Sequence, residues 1–207
     1  MSNLIILLIK VLLLNFPEFT GEIIINHVKE DNEAYLHDSF FLDRGKDYKE
    51  YLKTTEIFII CGDTLISFAL DMSLDTFATY IQVKDNLFKK SSQKEGFIKL
   101  GYNTAIGKVK KFERVNGSKT MLGRRVKKHL SFTPSGNIEY ESYIDTEVIY
   151  SQYIYKYLFA KVFTQEGLLV NNKETYLPKN KIKYSTIKSI IPKQCNCNIY
   201  FENLGFH

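Results

Sequence analysis

Three cysteines carry the thiol chemistry of this chain: Cys61, and the closely spaced pair in Cys195-Asn196-Cys197. Two thiolates two residues apart can ligate one metal ion. A structural zinc takes four ligands, however, and the third cysteine is far away in sequence. The pair therefore reads as two thiols beside a C-terminal strand, and neither a metal site nor a cofactor is expected. Carboxylates at Asp63, Asp71, Asp75 and Asp85 are the residues from which a metal-dependent nuclease would assemble oxygen ligands around a hard cation, although nothing in their spacing requires it. His27, His37, His129 and His207 show no mutual spacing of a ligand set. Gly101, Gly107, Gly117 and Gly123 match neither nucleotide-binding fingerprint, and neither a nucleophile elbow nor a zinc-protease helix is present. Lacking a catalytic constellation, the chain is expected not to be an enzyme.

The largest charge feature is KVKKFERVNGSKTMLGRRVKKH, residues 108–129. Here Lys108, Lys110, Lys111, Arg114, Lys119, Arg124, Arg125, Lys127 and Lys128 face one acid, Glu113. Such a stretch neutralises phosphates and releases counterions, and Tyr102, Phe112 and Phe132 nearby are able to stack on exposed bases. The same residues serve contact with an acidic neighbouring subunit equally well.

The charge is unevenly divided. Residues 1–90 carry 9 basic and 14 acidic side chains, whereas residues 91–207 carry 19 and 9, for a net charge of +5. A single compact domain is expected, possibly as two lobes, an acidic 1–90 and a basic β-rich 91–207, with the polar run Lys89 to Gly96 as the hinge. Opposite-signed halves suit packing against copies of the same chain or against neighbours in an assembly. The apolar run Leu4 to Leu14 supports this with Ile5, Ile6, Leu8, Val11 and Leu13 as interface candidates. Interrupted by Lys10, that run is too short to span a bilayer. With no positive charge before it and no small-residue cleavage site after it, it does not read as a signal peptide. Together with three cysteines that make no disulfide framework, this points to an intracellular, reducing location or to a virion.

The elements that position these residues are mostly strands. With 14 Tyr, 15 Phe and no Trp, the composition favours sheet. Residues 22–28 predict a strand, and the apolar runs 56–61 and 64–70 around Gly62-Asp63 predict a hairpin. Residues 71–82 fit helix or strand. Strands are expected near 97–102 and 106–112, then a turn at Asn116-Gly117-Ser118. Residues 124–132 fit a strand better than a helix, with a turn at Pro134 to Asn137 and a strand after it. The best helix runs from Asp145 or Thr146 to about residue 166, stopped by Gly167. Two further strands, 168–170 and 181–192, are separated by a turn at Asn171-Asn172-Lys173. The fold class is thus α+β and strand-dominated, with antiparallel sheets in a sandwich or distorted barrel and one or two helices. The functional expectation is a non-enzymatic structural or assembly subunit of a larger complex, such as a virus or phage tail, baseplate or connector. The alternatives are a nucleic-acid-binding accessory protein using 108–128 and a metal-dependent nuclease.

Overall fold

The computed structural model describes residues 18–30, 52–92, 95–100, 113–132, 136–149, 163–164, 167–177 and 181–206. The interface candidates Ile5, Ile6, Leu8, Val11 and Leu13 lie outside the described residues, as do Lys108, Lys110 and Lys111 and most of the expected helix.

The described chain is one antiparallel sheet that does not close on itself. Its strands are β1 (Gly21–Lys29), β2 (Lys53–Cys61), β3 (Thr64–Leu70), β4 (Thr76–Val83), β5 (Asn86–Ser91), β6 (Ile98–Leu100), β7 (Glu113–Met121), β8 (Arg124–Phe132), β9 (Ile138–Asp145), β10 (Phe163–Thr164), β11 (Gly167–Tyr176) and β12 (Lys181–Pro192). The order across the sheet is β6-β5-β4-β3-β2-β1-β12-β11-β9-β8-β7, and β10 pairs with β11. One short helix, α1 (Cys197–Leu204), follows β12.

The apolar runs explain which faces are buried. In β2 the unbroken Phe58 to Ile60 run is buried on both sides, with Ile57 half-buried beside it, because alternate strand residues point to opposite faces. Phe58 and Ile60 join Ile23, Ile25, Leu65, Val126, Val148, Leu168, Val170 and Ile187 in the main core. Ile59 points the other way and sits in register with Ile66, which is opposite Ile81, itself opposite Phe88. Helix α1 lies over that second row through Cys197, Phe201 and Leu204. Asn196 caps α1 by accepting the Asn198 N–H, and Gly205 ends it with φ +63°. The chain then turns back so that the Phe206 N–H donates to the Phe201 carbonyl at 2.9 Å. The Phe206 ring packs on Phe88, Phe97 and Phe201 with centroids 4.9, 5.1 and 5.2 Å away.

Several expectations are met: the 56–70 hairpin, the strand at 124–132 and the strand after Asn137 are present, and 71–82 resolves into β4. Others change. Asn116-Gly117-Ser118 is no turn but a register irregularity inside β7, and the reversal occurs at Leu122-Gly123, where both residues have positive φ (+51° and +73°). Asn171-Asn172-Lys173 lies within β11, because Asn172 is buried and accepts from Ser142 while Asn171 donates to Thr186. β9 continues to Asp145 and Phe163-Thr164 is a strand, so neither end of the expected 145–166 helix is helical. The C-terminal helix was not expected. Its cap residues Asn196 and Gly205 were the available signal.

Phe58 is fully buried in the middle of the main core. Phe58→Ala should lower unfolding free energy by about 3–5 kcal/mol, read as a fall in the chemical denaturation midpoint.

Candidate functional site

Strand register lays out one face of the sheet as graded rows. Thr54, His27, Ser185, Asn172, Ser142 and His129 are each directly opposite the next across six strands. Directly paired residues share a face, so these side chains form a polar rung across the sheet. Two residues along the strands in one direction the face turns apolar, through Ile25, Ile187 and Ile144 and on to Ile23, Phe58 and Ile60, with Glu56 and Lys127 the exceptions. Two residues the other way it turns charged: Lys29 is opposite Lys183, Lys183 opposite Glu174, and Glu174 opposite Tyr140. Burial, with Glu174 nearby, pushes the Tyr140 phenol up to about 12.

His27 ties the rung to the apolar rows. Its Nε2 is 3.2 Å from Glu56 Oε2 and its Nδ1 is 2.7 Å from Ser185 Oγ. A carboxylate only accepts, so Nε2 carries the proton and the Ser185 hydroxyl donates to Nδ1, while Ser67 donates to Glu56 Oε1 at 2.7 Å. The serine, histidine and glutamate stand in the order of a hydrolytic triad. Ser185, however, sits on a central strand whose N–H groups are committed to neighbouring strands, so β12 itself offers no free backbone donor to stabilise an oxyanion.

The apolar end of this face opens to the surface in a cleft of about 460 Å³, lined by Glu18, Phe19, Thr20, Arg124, Glu147, Val148, Ile149, Pro192, Lys193 and Gln194. The strap 18–20 forms one wall and is bonded on both sides. Phe19 N–H donates to the Ile149 carbonyl, and Thr20 exchanges bonds with Lys193 through its hydroxyl (3.1 Å) and its carbonyl (3.2 Å). Glycine is required at Gly21 and Gly167, where φ is +147° and +140° and a Cβ would overlap the carbonyls of Ile191 and Asp145. Val148 belongs to the main core and Phe19 packs against it, so the cleft leads to the apolar face. At its rim Arg124 pairs with the fully buried Asp145 at 3.0 Å, and Lys193 pairs with Glu22 at 3.0 Å, which raises the Lys193 ammonium above its ordinary value.

The basic stretch is divided by the β7–β8 hairpin. Arg114 stands opposite His129 in β7, and Lys119 places Nζ 4.7 Å from the Tyr143 ring centroid. In β8, Arg124 and Lys128 alternate with Arg125 and Lys127, and so point to opposite faces. Lys128 pairs with Glu141 at 3.0 Å, which raises it above its ordinary value, and Arg124 belongs to the cleft. The nuclease carboxylates do not gather. Asp63 lies in the β2–β3 turn, near Lys84 and Asp85 of the β4–β5 turn, while Asp71 and Asp75 lie beyond the far end of β3, roughly 20 Å along the strand. The Asp71 carboxylate accepts the N–H groups of Ser73 and Asp75. Sequence reasoning missed the cleft, because its walls come from four separate segments. Only Arg124 had been singled out.

No family model and no curated protein matches the chain. Among solved structures, PNGF-II is similar at 14% identity and a TM-score of 0.49 over 90% of this chain, which spans only 30% of that protein. A LolA superfamily protein from Nitrosomonas europaea is similar at 8% identity and TM-score 0.39, covering 89% of this chain and 91% of that one. An outer membrane lipoprotein-sorting protein domain from Vibrio parahaemolyticus is similar at 8% identity and TM-score 0.40, covering 90% of this chain and 92% of that one. These names are not those of phage or virion components, and the assembly-subunit expectation is corrected accordingly. Its physical motive also weakens, because the acidic and basic halves share one sheet through the β1–β12 pair.

Burial holds His27 below its ordinary 6.5, Lys183 and Lys29 push the same way, and Glu56 opposes them. As pH falls below 6.5 the unfolded chain takes up this proton before the folded one does, so stability is lost from there down to the folded-state value. The denaturation midpoint should therefore drop between about pH 7 and pH 5, and His27→Gln should flatten that drop. An unchanged slope in the variant would overturn the assignment to His27.

Proposed function

We propose that this chain is a non-enzymatic binding module for a lipid-like amphiphile, a molecule with one apolar chain and a polar head. The observation that carries this reading is the cleft itself, an opening that reaches the main core through Phe19 and Val148 and has cationic and anionic side chains at its rim. Its volume is in the range of ligand sites, about 300–1,000 Å³. Apolar walls at Phe19, Val148, Ile149 and Pro192 suit a hydrocarbon chain. Arg124 and Lys193 beside Glu18 and Glu147 suit a polar head carrying charge of either sign. The graded face behind the cleft has the same polarity pattern on a larger scale, from Ile23 and Phe58 to the rung and the lysine row.

Binding is measured by displacement of an environment-sensitive apolar dye from the purified chain with a fatty acid and with a lysophospholipid. Saturable displacement is expected. Ile149 is exposed on the cleft wall, so Ile149→Arg should leave the fold intact and weaken binding by about tenfold or more. Displacement that never saturates, or that is the same in the variant, would overturn the proposal.

A further inference from the structure

Away from the cleft, the fold brings all three cysteines to one point. Cys61 ends β2 at the Gly62-Asp63 turn, Cys195 lies between β12 and the helix, and Cys197 opens α1. The Cα of Cys61 is 5.3 Å from that of Cys195 and 6.2 Å from that of Cys197, and the three Sγ atoms lie within 4.8 Å of one another. The Cys61 sulfur stands at bonding distance from both Cys195 and Cys197, so none of the three is a free thiol in this structure, yet disulfides use sulfurs in pairs. Joining Cys61 to either partner leaves the third sulfur at the same point with no role. One cation held by three thiolates accounts for all three.

The surroundings define the kind of cation. Among the described residues this trio is the one group of His, Cys, Asp or Glu close enough to hold a metal, so its donor set is three sulfurs with no carboxylate or imidazole. The shell around it is apolar, with Phe68, Val83, Phe88 and Phe201 packed in the same cluster. Cys61 and Cys195 are half-buried and Cys197 is buried, so the sulfurs are shielded but reachable. The frame is stiff: Cys61 is set by a two-residue hairpin, and Cys197 by the Asn196 cap at the positive end of α1, where a thiolate is favoured. Thiolates bind both zinc and Cu(I), but zinc with three protein sulfurs still takes a fourth ligand, whereas Cu(I) is satisfied by three sulfurs in a trigonal site.

We propose that reduced Cys61, Cys195 and Cys197 form a trithiolate site for a soft monovalent cation of the Cu(I) class. Binding replaces three S–H protons, which leave to solvent, with three sulfur–metal bonds. The cation enters as Cu(I), so no electron is transferred. The site also fixes α1 to the edge of β2, because two of its ligands flank the helix cap.

The test uses the full chain, reduced and kept free of oxygen, titrated with Cu(I) against a chromophoric Cu(I) chelator, with thiols counted by alkylation and mass spectrometry. One Cu(I) per chain and protection of all three thiols are expected. Cys61→Ser, Cys195→Ser and Cys197→Ser should each weaken binding by about 100-fold or more. The wild-type protection pattern decides the matter even if a variant fails to fold. Any of the three thiols alkylated at its metal-free rate, or Zn²⁺ held as tightly as Cu(I), would overturn the assignment. So would a reduced chain that takes up no Cu(I) and reoxidises to one disulfide and one thiol, which would leave the cluster a covalent staple.

Discussion

Everything in this fold depends on the pairing of β1 with β12. β1 is flanked by β2 on one side and β12 on the other, so residues 21–29 join the hairpins of the first half of the chain to those of the second. The contact closes a long loop: His27 and Ser185, bonded across this pair, are 158 residues apart. Such closure must be achieved before the contacts it permits can stabilise it, and topologies of this kind fold slowly. The bonding across the pair is correspondingly rich. Val28 and Tyr184 are opposite one another, Gly21 admits the backbone of Ile191, and the Lys193–Glu22 ion pair sits where the two strands end.

The cleft is a direct product of that pairing. Where β1 begins and β12 ends, the strap at 18–20 and the segment at 192–194 diverge from the sheet and meet Arg124 and Glu147 to Ile149 arriving from β8 and β9. Apolar core residues therefore come close to solvent there without being exposed along the sheet. The buried Asp145 carboxylate is tolerated because Arg124 and the Glu147 N–H both donate to it, and the same bonds orient Arg124 at the rim. Local stability and the cleft thus share the same residues.

The polar rung shows how the sheet manages buried polarity. His27, Asn172, Ser142 and His129 are nearly inaccessible, and cross-strand register gives several of them partners: Ser185 and Glu56 for His27, and Ser142 for Asn172. Slipping one strand by a single residue would turn these groups to the opposite face and break the set. Buried hydrogen bonds here fix register as much as they add stability.

Much of the strand content was legible in the sequence, because it depends on local signals. The Ile57 to Ile60 and Leu65 to Leu70 runs around Gly62-Asp63 specify a hairpin by themselves, and alternation in 124–132 and 138–141 specifies two more strands. Where a local signal had two uses, the tertiary structure decided. Asn116-Gly117 carries turn chemistry but became an irregularity within β7, since Leu122-Gly123 supplied the reversal. Asn171-Asn172 became strand because Ser142 and Thr186 were waiting across the sheet. The cysteines illustrate the limit best: sequence distance separates Cys61 from Cys195 and Cys197, and only the laying of α1 over β2 to β5 brings the sulfurs together. The sequence by itself determined an antiparallel, strand-dominated chain, because period-two burial and turn residues are local properties. The strand order, the cleft and the sulfur cluster were decided by tertiary structure, because each needs segments that only long-range pairing can place side by side.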